Sequence, residues 1–135
     1  MYWPNETRLS IFIFKDIDLE TRSRDVFIYT KPDEDGDEPC PFDEWLDDLS
    51  DTVGKGQIEA RLDHFEEGLF GDCKLLDEGV WEARIHYGPG YRIYYVMENN
   101  DTVMVLCGGL KKNQKRDIKK AKQFWKEYRG RNHAK

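Results

Sequence analysis

Two arginines, a histidine and a run of lysines fall within one stretch, Val80 to Gln114, which reads VWEARIHYGPGYRIYYVMENNDTVMVLCGGLKKNQ. Arg84 and Arg92 stand on either side of Gly88-Pro89-Gly90. A guanidinium keeps its charge and can grip phosphate oxygens in a fork, so the pair suits phosphate-directed chemistry. His86 is of the type that exchanges protons near neutrality. Lys111 and Lys112 form a basic ledge after Gly108-Gly109, and Lys115 and Lys119 extend it. Each residue also has a plainer use: strand arginines solvate a sheet face or pair with Glu82, a histidine beside a turn is a surface residue, Tyr94 packs against the last helix, and the lysines coat a solvated helix.

The chemistry requires these groups to share a face. From Trp81 to Tyr87 the odd positions are mostly apolar and the even ones polar, which is strand alternation. Gly88-Pro89-Gly90 is a turn, since proline presets φ and glycine accepts positive φ. Pairing Tyr87 with Tyr91 across a three-residue loop puts His86 opposite Arg92 and Arg84 opposite Tyr94, all on one face, with Ile85 and Ile93 toward the core. A two-residue loop would shift the register by one and carry Arg92 to the other face. The first register keeps both strands amphipathic in the same sense and is preferred.

The flanking elements follow from pattern. Val26 to Thr30, VFIYT, reads as a strand, and the acidic loop KPDEDGDEPC separates it from a helix opened by Pro41, with Phe42, Trp45, Leu46 and Leu49 on one side. A turn at Val53 to Gly56 leads to a second helix carrying Ile58, Leu62 and Phe65 and stopped by Gly68. The two acidic helices are expected to form a hairpin. After the strands around the GPG turn, Thr102 to Cys107 is apolar on both faces, as in a strand buried inside a sheet. Gly108-Gly109 is expected to release the backbone from the sheet. A last helix is expected from near Asn113 to Gly130, with Ile118, Ala121, Trp125 and Tyr128 inward. The order is strand, two helices, three antiparallel strands, helix: an α+β domain. Leu9 to Phe14 is a further strand candidate within an N-terminal extension, residues 1–22, of uncertain order.

At 135 residues the chain suits one domain. Residues 110–135 carry 11 Lys/Arg against two acids, whereas residues 1–109 carry 10 against 25. A basic end of this kind suits a polyanion, and an acidic front half can screen it. Cys40, Cys73 and Cys107 lack metal-knuckle or disulfide-framework spacing. No signal peptide or membrane-length apolar run is evident, so a cytoplasmic location is expected.

The segment WEARIHYGPGYRIYY, followed by LCGGLKKNQKRDIKKA, resembles the HigB-like branch of the RelE/ParE toxin superfamily, the addiction-module killer proteins. PFDEWLDDL and GLFGDCK are similar to its two-helix section, and the likeness covers roughly residues 24–129. The resemblance implies a toxin domain over residues 23–130 with a basic tail, 131–135, and the RelE-like fold: the N-terminal strand joined in one sheet to a three-stranded meander. It also implies translation-dependent mRNA cleavage at the ribosome and a cognate antitoxin, a small helix-turn-helix protein encoded alongside. Arg84 and Arg92 match the family's strand arginines, and Lys74, Lys111, Gln114 and Asp117 its other polar positions. Ala83 and Leu110 depart from the usual pattern, and Lys111 and Asp117 stand where better-understood RelE toxins have an arginine and a tyrosine.

RNA cleavage of this class needs the 2′-hydroxyl deprotonated, the charge on the phosphate stabilised and the departing 5′-oxygen protonated. The expected catalytic set is Arg84, Arg92, His86 and Lys111. Lys74, Tyr94, Lys112, Gln114, Lys115 and Lys119 are the expected RNA-binding residues, Tyr94 by stacking on a base. No metal-ligand cluster is visible in the sequence, so no cofactor is expected. Two other functions fit the same resemblance: a ParE-like gyrase-inhibiting module, and a member of the fold without toxicity.

Overall fold

Strand residues that are apolar on both sides need a covering layer on each. In the computed structural model, which describes residues 22–133, helices supply both. The elements are β1 (Asp25–Ile28), α1 (Pro41–Asp48), α2 (Thr52–Glu66), β2 (Cys73–Leu75), β3 (Val80–Ile85), β4 (Tyr91–Asn99), β5 (Thr102–Leu110), a 3-10 turn (Lys111–Asn113) and α3 (Gln114–His133). They build one five-stranded sheet in the order β1-β5-β4-β3-β2, with β1 parallel to β5 and the other pairs antiparallel. The α+β class and the joining of the first strand to the meander hold. The short strand β2 is additional, because Cys73 to Leu75 pairs with Ala83 to Trp81.

One sheet face, bearing Ala83, Ile85, Ile93, Tyr95, Val103 and Val105, packs against Phe42 and Leu46 of α1 and Ile58 and Phe65 of α2. The other face, bearing Val80, Tyr94, Val96, Met104 and Leu106, packs against Ala121 and Phe124 of α3. Burying a Phe or Ile of this kind contributes about 1.5–3 kcal/mol. The sheet also divides charge. Asp43, Glu44, Asp47, Asp48, Glu59 and Asp63 are exposed on one helical layer, and Lys115, Lys119, Lys120 and Lys126 on the other.

A bulge in β5 sets what meets the start of α3. Tyr94 pairs with Cys107 but Tyr95 with Val105, so Leu106 is the extra residue. Leu106 and Cys107 both face α3, and alternation beyond them is inverted. Gly108 therefore turns to α1, where a Cβ would lie 2.3 Å from Trp45 Cζ3, and Gly109 turns to α3. These glycines do not release the chain from the sheet, as expected from sequence; both lie within β5 and permit close approach of a helix on each side.

Other boundaries also differ. Val53 to Gly56 lies inside α2, because Asp51 caps the helix by accepting the Gly54 N–H at 2.9 Å. Gly130 lies within α3 and does not end it. β1 ends at Ile28, short of Thr30. Gly68, at φ +79, stands just past α2 as expected. Leu9 to Phe14, and the extension except Arg22, lie outside the described residues.

Candidate functional site

The site is assembled on the sheet face beneath the beginning of α3. Arg84 stands directly opposite Arg92, and Glu82 opposite Tyr94. The register is offset by two residues from the one expected, because Ile85 and not Tyr87 pairs with Tyr91 and the connection is correspondingly longer. An offset of two preserves the facing of every side chain, so Arg84, Arg92 and Tyr94 still share a face. His86 does not join them in the ladder; it lies just past the end of β3.

Like charges directly across a ladder repel, and a buried carboxylate answers them here. Glu82 is fully buried. Its Oε1 accepts from Arg84 Nε at 3.0 Å, and its Oε2 accepts from Tyr94 OH at 3.1 Å and from Gln114 Nε2 at 2.6 Å. Arg92 Nε lies 4.0 Å from Oε2. Arg92, 4% exposed, donates from Nη1 to its neighbour's carbonyl, Tyr91 O, at 3.1 Å. Pairing of a strand arginine with Glu82, the plainer reading, is thus what Arg84 does.

The next cross-strand position brings in α3. Arg92 pairs with Gly109, and the open side of Gly109 is filled by Asp117, which is 2% exposed. Asp117 Oδ1 accepts from Arg116 Nε at 3.3 Å, whereas Asp117 Oδ2 and Arg92 Nε are buried with no hydrogen-bond partner among the described residues. Burial pushes the Tyr94 hydroxyl pKa far up, with the Glu82 charge adding to it, so Tyr94 is a hydrogen-bond donor at any ordinary pH. Burial, reinforced by Asp117, pushes the Cys107 thiol up to about 12, which leaves it unreactive.

The remaining candidates rim this cluster. Lys111 is exposed, its N–H donates to Gly90 O at 2.9 Å, and its Cβ packs on Gly90, whose φ of +85 and closeness to Lys111 leave little room for a side chain. Lys74, on β2, pairs with Glu82 and so shares its face, but is exposed. His86 Nε2 lies 2.6 Å from Asp72 Oδ2. That hydrogen bond is the main cause holding the Asp72 carboxyl below the usual carboxylate range. Lys112, Lys115 and Lys119 are exposed and line, with Arg116 and Lys122, an open depression of about 690 Å³ on the outer side of α3.

The structure therefore gathers Arg84, Arg92, Tyr94 and Gln114 around Glu82 and sets Lys111 on the adjoining turn. It does not bring Lys115 and Lys119 into that cluster. Tyr94, fully buried under α3, presents no face for base stacking, and Gln114 is engaged by Glu82. Sequence reasoning left Glu82, Asp72 and Asp117 out of the site. Period-two alternation from Arg84 would have placed Glu82 beside it, but nothing local marked Asp72 as the partner of His86.

No helix among the described residues is long and apolar enough to cross a membrane. Residues 44–126 match the model of the family described as Phage derived protein Gp49-like (DUF891). An uncharacterized protein of Haemophilus influenzae is 43% identical over 86 residues, covering 64% of this chain and 87% of the relative. With a family model matching more than half of the chain, and a relative matched over most of its own length, the chain belongs to the Gp49-like family of phage-derived proteins, which is related to addiction-module killer proteins.

Proposed function

We propose that the chain is the toxin of a toxin–antitoxin pair of the HigB-like kind, a metal-independent endonuclease acting on mRNA at the ribosome. Family membership supports a toxin-type protein with an antitoxin partner. The observation carrying the enzymatic part is the Arg84–Arg92 pair at the end of the sheet face, with Lys111 packed on the adjoining turn and His86 just beyond β3. Glu82 holds Arg84 by Nε, and the Arg84 side chain is 30% exposed, so its terminal nitrogens remain for phosphate oxygens. Arg92, buried behind it, adds positive field where charge develops on the phosphate.

In the reaction His86 takes the 2′-hydroxyl proton, the 2′-oxygen bonds to phosphorus, and the bond from phosphorus to the 5′-oxygen breaks. Lys111 protonates the departing oxygen. The products are a 2′,3′-cyclic phosphate and a 5′-hydroxyl end. Lys74, Lys112, Lys115 and Lys119 hold the RNA backbone, and the antitoxin lays an acidic or amphipathic segment over the same cations.

Purified protein added to translating ribosomes is the test. Cleavage leaving cyclic phosphate ends is expected, with a loss of about 10²-fold or more in Arg84→Ala. Full activity in both Arg84→Ala and Arg92→Ala would sink the site. One observation favours a second reading, the gyrase-inhibiting module: Arg84, Tyr94 and Gln114 are engaged by Glu82, while the freest cations lie on α3. Inhibition of supercoiling without RNA cleavage would select it.

A further inference from the structure

Arg61 of α2 reaches three backbone carbonyls. Its Nη1 donates to Phe70 O and Asp72 O, each at 3.4 Å, and its Nη2 donates to Arg84 O at 2.8 Å. Asp72 O also accepts the Arg84 N–H at 2.9 Å. Between these anchors Gly71 adopts φ +71, and a Cβ there would lie 3.3 Å from Arg61 Cζ, so the loop lies flat against the guanidinium. A helix side chain thus ties the loop at residues 70–72 to the end of β3. Asp72 and His86 are the residues whose side chains this brings together, at 2.6 Å.

We propose that Asp72 is the positioning residue that makes His86 the proton acceptor of RNA cleavage, with Arg61 as the clamp that holds the two in place. This role rests on the endonuclease reading of the site. A carboxylate accepting from Nε2–H fixes the imidazole tautomer and leaves the lone pair on Nδ1. The 2′-hydroxyl proton passes to Nδ1 as the 2′-oxygen attacks phosphorus and the 5′-oxygen leaves with a proton from the Lys111 ammonium; water then returns both groups to their starting states.

The surroundings suit that task. The charged groups acting on Asp72 are His86 itself, Arg84 from β3 and Arg61 from α2. The hydrogen bond from His86 is the main cause keeping the carboxylate ionised, and the two arginines reinforce it and add positive charge where a phosphate must approach. Both side chains of the pair are at least half exposed, 68% for His86 and 50% for Asp72, so the bond contributes little to stability. Its effect is orientation, at a histidine open to substrate.

The test compares wild type, Asp72→Asn, Asp72→Glu, His86→Ala and Arg61→Lys in cleavage on translating ribosomes, with kcat and KM measured separately. His86→Ala is expected to lose about 10²-fold in kcat, as for removal of a general base. Asp72→Asn is expected to lose about tenfold in kcat with KM unchanged, and Asp72→Glu, which restores a carboxylate, is expected to recover part of that loss. Arg61→Lys keeps the charge but loses the fork to the carbonyls, and is expected to follow Asp72→Asn in kcat. Thermal melts within about 2 °C of wild type for Asp72→Asn would separate this from misfolding. Cleavage by wild type with an unchanged kcat in Asp72→Asn overturns the positioning role alone. No cleavage by wild type overturns the endonuclease reading and this role with it.

Discussion

Asp117 occupies the space that Gly109 leaves open: a Cβ built on Gly109 would lie 1.9 Å from Asp117 Oδ2. The contact joins β5 to the first turns of α3, directly across the ladder from Arg92. Gly109→Ala must therefore expel the carboxylate or shift the helix, and is expected to cost about 1–3 kcal/mol. Urea unfolding checks this, and Asp117→Ala in the same background should recover part of the loss because the obstruction is gone.

Glu82 holds two strands and a helix through a single buried carboxylate. Glu82→Ala would take away the carboxylate 4.0 Å from the buried Arg92 Nε and leave that guanidinium beside a like charge, which costs about 3–5 kcal/mol. Glu82→Gln keeps the shape and one accepting oxygen while losing the charge and the second acceptor, so it should fall between wild type and Ala. Equal stability of all three in urea titrations would show that the cluster has no structural weight.

The GPG turn is tied to α2 through Tyr91 OH, which donates to Asp51 Oδ2 at 2.6 Å. Burial and then the Asp51 carboxylate push the Tyr91 hydroxyl up to about 12. A folded-state value above the unfolded one means that the stabilisation is complete below about pH 10 and is lost as pH rises through about 12. Tyr91→Phe removes that dependence and should lower the melting temperature at neutral pH by about 3 °C. Phenolate absorbance during alkaline titration of wild type and variant checks the assignment.

The exposed lysines of α3 give a separate test of polyanion binding. If Lys115 and Lys119 contact phosphates of single-stranded RNA, replacing each by Ala should reduce the slope of log affinity against log salt by about 0.7. Fluorescence anisotropy with an unstructured oligoribonucleotide at several salt concentrations measures it. An unchanged slope would leave these lysines as a solvated helix face.

How far the site could be read from sequence varied with how local each relationship was. Period-two alternation put Arg84, Arg92 and Tyr94 on one face, and the two-residue offset in register did not disturb that, because side-chain direction depends only on parity. The bulge at Leu106 could not be read from β5, since it lies in a run apolar on both sides, where no pattern marks an extra residue. Gly108 and Gly109 suggested an exit from the sheet, yet their cause is the bulk of Trp45, from a helix distant in the chain, and of Asp117, from the helix that follows β5.

By itself the sequence determined the α+β class, the inward faces of the helices, the turn at Gly88-Pro89-Gly90 and the crowding of cations after β5, because each depends on neighbours within a turn or a strand. Only the tertiary structure decided which cations are free. Burial of Glu82 engaged Arg84, Tyr94 and Gln114, and the Arg61 clamp joined Asp72 to His86. These outcomes depend on what lies above and beside a residue after packing, and desolvation and pairing across distant segments are not written in local spacing.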